Sequence, residues 1–264
     1  VNYPDLRTKS ALVTGAGRGI GRATALQLAS CGARVILTAR GRGEIETAAA
    51  EIRSSDGNAE AIPCDVGRTE DVRALFAAAG PVDILINNAG VIAPIALLAD
   101  ADPEAWQYNI AVNLDGVFLT CRFALPAMLE RGWGRIVNVS SGAARGTTAG
   151  WSAYSAAKAG IEALTGVLAK EVGDRGVRVN AVRPGIVDTE MQVEIRGSTP
   201  EQFTPENVER FRGYKERGLL RDPADPARLI LWLLRPEADG HNGEILAIDD
   251  PEVAARVGLQ PMGR

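Results

Sequence analysis

Ala11-Leu12-Val13-Thr14-Gly15-Ala16-Gly17-Arg18-Gly19-Ile20-Gly21 is the stretch whose reading decides the fold of this chain. An apolar run enters a turn with glycine at alternate positions, and residues 20–31 then repeat alanine and leucine at helical spacing up to Gly32. The pattern predicts a buried strand, a turn free of side-chain bulk and a helix in direct succession. Such a turn lets backbone N–H groups approach a pyrophosphate, and the start of the helix adds favourable partial positive charge. A glycine cluster alone serves ordinary turns. The strand–turn–helix–strand setting is what points to a nucleotide, although the spacing departs from G-x-G-x-x-G.

Outward from this turn the alternation continues. Strands are expected at Arg34–Ala39, Ala59–Cys64, Val82–Ile86, Ile136–Val139, Val177–Val182 and Glu244–Ile248. Helices are expected over 44–54, 69–79, Pro103–Arg131, Ala153–Asp174 and Pro226–Leu234. Strands this apolar, alternating with helices, predict an α/β protein: a doubly wound Rossmann fold whose parallel sheet is covered by helices on both faces. The whole of 1–264 reads as one domain. One segment breaks the rhythm. Residues 190–222 carry many charges, Pro200, Pro205 and several glycines. They leave the carboxyl end of a strand, where open α/β sheets bind ligands, and are expected to form a substrate lid.

The bulk properties narrow the partners. Charges are mixed along the chain, with a formal net charge of −4, so no clustered basic surface points to nucleic acid. No apolar run approaches the roughly 20 residues that span a bilayer, and the start, Val1–Ser10, has no apolar signal core. A cytoplasmic protein with no membrane partner is expected. Cys31, Cys64 and Cys121 have neither metal spacing nor even pairing; buried thiols and no metal are expected.

The second expected strand ends Leu37-Thr38-Ala39-Arg40. A carboxylate there would bind the ribose hydroxyls of NAD and repel a 2′-phosphate. There is none, whereas Arg40 offers a planar fork of donors, and Arg18 in the glycine turn reaches the same region. The cofactor expected is therefore NADPH/NADP. Tyr154 and Lys158 are four apart, which puts both on one helix face. A free phenol titrates near about 10, and a neighbouring ammonium should lower that value, letting the tyrosine give a proton to a carbonyl oxygen. Thirteen residues before Tyr154, Ser141 closes the fifth strand, where its hydroxyl can bond a developing alkoxide. The only histidine, His241, lies far along the chain, so a histidine relay is not expected at this site.

Together these residues resemble the short-chain dehydrogenase/reductase family. The matching positions are Thr14–Gly21, Asp65-Val66, Asn87-Asn88-Ala89-Gly90, Asn113, Ser141, Tyr154, Lys158, and Pro184-Gly185 with Thr189, and they span about residues 8–250. The resemblance implies a seven-stranded parallel sheet with three helices on each face. It implies a catalytic set of Asn113, Ser141, Tyr154 and Lys158, with Asn113 holding a water that connects to the lysine. It implies cofactor contacts from Gly15, Arg18, Gly19, Ile20, Gly21, Arg40, Asp65, Val66, Asn88, Ala89, Gly90, Tyr154, Lys158, Pro184, Gly185, Val187 and Thr189. Gly150-Trp151, Val187–Gln192 and Ile195-Arg196 further resemble the sepiapterin reductase and benzil reductase branch, whose members reduce ketones and dicarbonyls. In that branch an aspartate at the place of Asp250 anchors the substrate. Ser141, Ala143, Trp151, Tyr154, Met191 and Asp250 are thus the expected substrate contacts, with Ile92, Pro94 and Val187 beside them. A small-molecule carbonyl substrate and a homodimer or homotetramer are implied. Asp249-Asp250-Pro251 replaces the Gly-Gly that ends the last strand in many members, where that region packs between subunits. A 3-oxoacyl reductase, an alcohol dehydrogenase and a catalytically silent NADP-binding protein stay open as alternatives.

Overall fold

The computed structural model describes residues 4–260. Its strands are β1 (Ser10–Thr14), β2 (Arg34–Thr38), β3 (Asn58–Ala61), β4 (Ile84–Asn87), β5 (Gly134–Val139), β6 (Val177–Arg183) and β7 (Ile245–Ala247). These seven form one parallel sheet in the order β3-β2-β1-β4-β5-β6-β7. The order reverses at β1, which pairs with β2 on one side and β4 on the other. That switch opens a crevice at the carboxyl ends of the strands.

The sequence forms a parallel sheet because its central strands can be buried on both faces. Leu12 and Val13, adjacent in β1, point to opposite faces and are both fully buried. On Val13's side pack α1 (Gly19–Ser30), α2 (Arg42–Ser54) and α10 (Ala224–Trp232). On Leu12's side pack α3 (Thr69–Ala79), α5 (Gly116–Glu130) and α6 (Ser152–Val172). The expected architecture of three helices per face is present.

The differences from expectation have local causes. β3 stops at Ala61 rather than Cys64, although Ile62 N and Cys64 N still donate to Leu37 O (3.0 Å) and Ala39 O (3.1 Å); Pro63 between them is tolerated because its missing N–H would face the open edge of the sheet. The expected long helix begins as α4 (Pro103–Ile110), widens into a π-helical stretch at Ala111–Asp115, and continues as α5. Asn113 sits in that widened stretch, fully buried. By length and mean hydropathy the run Pro103–Glu130 passes for a membrane span, contrary to the sequence expectation. In the fold its apolar residues Val112, Val117, Cys121, Ala124 and Met128 face the sheet.

Residues 190–222 are not an open loop. They form α7 (Glu190–Arg196), α8 (Pro200–Phe203) and α9 (Pro205–Glu216). The segment leaves and returns at one point: Asp188 N donates to Arg221 O (2.9 Å) and Arg221 N to Ile186 O (2.8 Å). Beneath it is a third apolar cluster of Ile92, Ala143, Trp151, Tyr154, Ile195, Phe203, Val208 and Phe211. Trp151 stacks on Phe203 with centroids 5.1 Å apart and meets Phe211 edge-on at 5.2 Å. The aromatics scattered among the segment's charges are what anchor it. The last strand is followed by α11 (Pro251–Arg256).

Candidate active site

A cavity of about 1010 Å³ runs along the carboxyl ends of the strands, from the glycine turn to the third apolar cluster. Its two ends are built differently.

At the first end, Gly15 and Gly19 have φ of +63° and +53°, values that favour glycine. Thr14 Oγ1 accepts from both Asn88 N and Ala89 N at 3.0 Å. Asn88 Nδ2 in turn donates to Thr14 O (3.0 Å) and Gly15 O (3.1 Å). The turn is thereby fixed to the end of β4. Gly21 is required by packing: a β-carbon there would lie 2.2 Å from Gly15 O and 2.5 Å from Asn88 Nδ2. It does not line the cavity, whereas Gly15, Gly17, Gly19 and Ile20 do. This is a backbone cradle at the start of α1, the geometry that accepts a pyrophosphate.

Arg18 and Arg40 both line this end, as do Asp65 and Val66. Neither arginine is without a partner. Arg18 bonds Glu190, the first residue of α7, and lies 3.6 Å from Glu44 Oε1. Arg40 Nη1 donates to Tyr108 Oη (2.5 Å), which donates to Asp65 Oδ2 (3.1 Å). Sequence reasoning does not single out Glu44, Glu190 or Tyr108. They come from α2, α7 and α4, and no local motif ties them to the turn.

At the other end, α6 presents Tyr154 and Lys158, both buried. Lys158 Nζ donates to Val139 O at 2.8 Å and lies 5.5 Å from the Tyr154 ring centroid. Burial pushes the lysine down to about 8. Burial also pushes the Tyr154 phenol above its ordinary value, while the neighbouring Ser141 side chain pulls the other way. The expected lowering of the phenol is therefore not what the structure gives, because desolvation outweighs the favourable contacts. Ser141 caps a short turn, its Oγ accepting from Ala143 N at 3.2 Å.

Asn113 does not line the cavity. Its Nδ2 donates to Val91 O (2.8 Å) and its Oδ1 accepts from Val91 N (3.3 Å), which holds the strand-end segment Gly90–Ile92. A β-carbon on Gly90 would lie 2.8 Å from Asn113 Oδ1 and 3.8 Å from Lys158 Nζ, so both side chains converge on this glycine. A further residue supports the pair. Glu162, one turn after Lys158, accepts from Ser140 Oγ (2.8 Å) and binds Arg183 through both oxygens (2.7 and 2.6 Å). It ties together the ends of β5 and β6, which carry Ser141 and Pro184-Gly185.

Pro184, Gly185, Val187, Thr189, Met191, Trp151 and Ile92 line the wall between the two ends, together with Ala89 and Gly90. Ala143 lies behind Trp151 and Tyr154 in the apolar cluster, and neither it nor Pro94 is part of the lining. Asp250 is not brought to the cavity. Its carboxylate caps α11, accepting from Glu252 N (2.9 Å) and Val253 N (3.4 Å). Its neighbour Asp249 has the structural role, holding the buried Arg221 at 2.7 Å and fastening the base of the 190–222 segment. All three cysteines are free and buried, with Cys64 and Cys121 pushed up to about 12 by burial.

A switch-point crevice, a glycine cradle at one end and a buried Tyr-Lys pair beside a serine at the other define a dinucleotide-dependent oxidoreductase fold. The family model described as short chain dehydrogenase matches residues 9–199, and the chain belongs to that family. It is 38% identical over 255 residues to the short-chain reductase protein NovJ of Streptomyces niveus, covering 90% of this chain and 92% of that protein. It is 40% identical over 205 residues to a 3-oxoacyl-[acyl-carrier-protein] reductase of Synechocystis sp., covering 76% and 83%. The crystal structure of a single-residue variant of actinorhodin polyketide ketoreductase with NADPH superimposes with a TM-score of 0.83 at 35% identity, covering 91% of this chain and 95% of that one.

Proposed function

We propose that the chain is an NADPH-dependent reductase of a ketone or dicarbonyl, with residues 190–222 as its substrate lid and Tyr154 as its proton donor. The observation that carries this reading is that the glycine cradle with Arg18 and Arg40, and the group of Ser141, Tyr154 and Lys158, line opposite ends of one cavity. The cradle, the two arginines and the residues on the intervening wall suit an extended dinucleotide. NADPH supplies the hydride that the carbonyl carbon receives. This chain's residues supply the proton and the charge balance.

Burial keeps the Tyr154 phenol protonated at neutral pH, the form a donor in the reductive direction needs. Ser141 lines the same end of the cavity as that phenol, within reach of the substrate oxygen that the phenol would protonate. As the carbonyl oxygen gains charge, the phenol proton moves to it and the hydroxyl product forms. The phenolate left behind faces the Lys158 ammonium, whose buried setting strengthens the attraction. Asn113 keeps the Gly90–Ile92 wall in place against the lysine. Trp151 and Met191 present flat and flexible apolar surface to the substrate end, which suits a hydrophobic or aromatic carbonyl.

The dicarbonyl preference rests on the Gly150-Trp151 and Val187–Gln192 motifs. Identity to a 3-oxoacyl reductase supports a β-ketoacyl thioester as the second reading. NADPH oxidation followed by absorbance with monoketones, vicinal dicarbonyls and β-ketoacyl thioesters separates these, and the silent-binder alternative predicts no turnover with any of them. Tyr154→Phe keeps the ring and deletes the transferable proton, so kcat should fall by about 10² or more. A folded variant with near wild-type turnover would sink the mechanism.

A further inference from the structure

We infer that Glu44 is a cofactor-discriminating residue, a carboxylate that α2 delivers to the 2′ corner of the adenosine site, so that the enzyme accepts NADH as well as NADPH. The inference rests on the reading of this cavity as a dinucleotide site.

In Rossmann folds the acid that separates NAD from NADP stands at the end of the second strand, where it accepts from ribose hydroxyls and repels a 2′-phosphate. Here that position holds Ala39. The fold nevertheless returns a carboxylate to the same place. Glu44, in the first turn of α2, packs directly on the glycine turn: a β-carbon on Gly17 would lie 2.7 Å from Glu44 Cβ and 2.9 Å from its Oε2. A β-carbon on Gly41 would lie 3.3 Å from the same oxygen. Glu44 therefore fills the space that two glycines leave, and it lines the cavity beside Arg18 and Arg40. Its side chain is 48% exposed, open to a ligand.

The charges around this corner are mixed. Arg18 stands between Glu44 Oε1 at 3.6 Å and the Glu190 carboxylate. A 2′-phosphate must draw Arg18 from these oxygens and accept Glu44 as a neighbour of like charge, which lowers the gain from the arginine. A free 2′-hydroxyl meets no such repulsion and finds in Glu44 an acceptor. Glu190, from α7, holds the same Arg18 nitrogen and also lines the cavity, but it is Glu44 that packs on Gly17 and Gly41. The two carboxylates are thus separable by experiment.

The test is calorimetric binding of NADP+ and of NAD+ to the whole protein, which requires no turnover. Wild type should bind both, with affinities within about tenfold of each other. Glu44→Gln preserves the packing on Gly17 and removes the charge; it should tighten NADP+ and weaken NAD+, raising their affinity ratio by about tenfold. Glu190→Gln should tighten NADP+ and leave NAD+ unchanged. Should Glu44→Gln prove unstable in a thermal melt, Glu44→Asp, which withdraws the carboxylate by one methylene, should shift the ratio in the same direction by less. Parallel weakening of both cofactors in the folded variants, or no change in either, overturns the inference while leaving the cofactor reading intact. Wild type that binds neither dinucleotide overturns the cofactor reading, and this inference with it.

Discussion

Replacing Lys158 by Met should make the free protein more stable at neutral pH, even as it abolishes activity. The side chain is only 4% exposed, and burial alone drives its titration from 10.5 down to about 8. Holding the charged form in that setting therefore costs about 3 kcal/mol. Methionine fills much of the same volume without a charge, but it forfeits the bond from Nζ to Val139 O, worth about 1 kcal/mol net. A net gain of about 2 kcal/mol remains, a rise in Tm of about 4–8 °C for a chain of this size. The pH dependence identifies the cause. Below about 8 both folded and unfolded lysines are protonated, so the folded state bears the whole cost. Between about 8 and 10.5 the folded lysine is neutral while the unfolded one is still charged; wild type gains on the variant as pH rises, and the gap closes. Melts of the cofactor-free proteins at pH 7 and pH 9.5 measure it. A variant less stable than wild type at pH 7, or a gap that does not change with pH, would refute the claim that desolvation governs this lysine.

The same titration should divide the kinetics. As pH rises through about 8 the free enzyme loses the Lys158 charge, so kcat/KM for NADPH should decline there. kcat at saturating cofactor should persist to higher pH, where Tyr154 loses its proton; coincident declines in both profiles would contradict separate roles. Arg40→Ala should weaken NADPH by about ten- to a hundredfold, corresponding to a charge-assisted contact of about 1.5–3 kcal/mol, and unchanged affinity in calorimetry would remove Arg40 from the phosphate site. Phe203 is fully buried against Trp151, and Phe203→Ala should cost about 3–5 kcal/mol by denaturant unfolding. Hydrogen exchange across 190–222 should slow when cofactor and substrate bind; equal protection in both states counts against a lid.

The extent to which the site is legible in the sequence follows from the range of each signal. The glycine turn, the Tyr154–Lys158 pair and the apolar strands are each written within one element, so periodicity and spacing expose them. The hydrogen bonds that make these parts a site run between elements: Asn88 to the first turn, Glu162 to the ends of two strands, Asp249 to Arg221. Asp250 lies away from the cavity for a related reason. Its neighbour is the residue that reaches across the fold, whereas Asp250 itself satisfies the N–H groups opening a helix that begins with Pro251.

Local sequence determined the order of strands and helices along the chain, the cradle, and the spacing of Tyr154 and Lys158 on one helix, because backbone sterics and apolar periodicity act over a few neighbours. Tertiary structure decided the rest. The aromatic residues within a charged segment became the anchor of a three-helix cap only by meeting Trp151. The phenol was raised rather than lowered because burial depends on everything packed around it. A carboxylate reached the 2′ corner from α2 because the turn after β2 folds Glu44 back against Gly17. Charge and burial at a point in space sum contributions from distant parts of the chain, and no window along the sequence contains that sum.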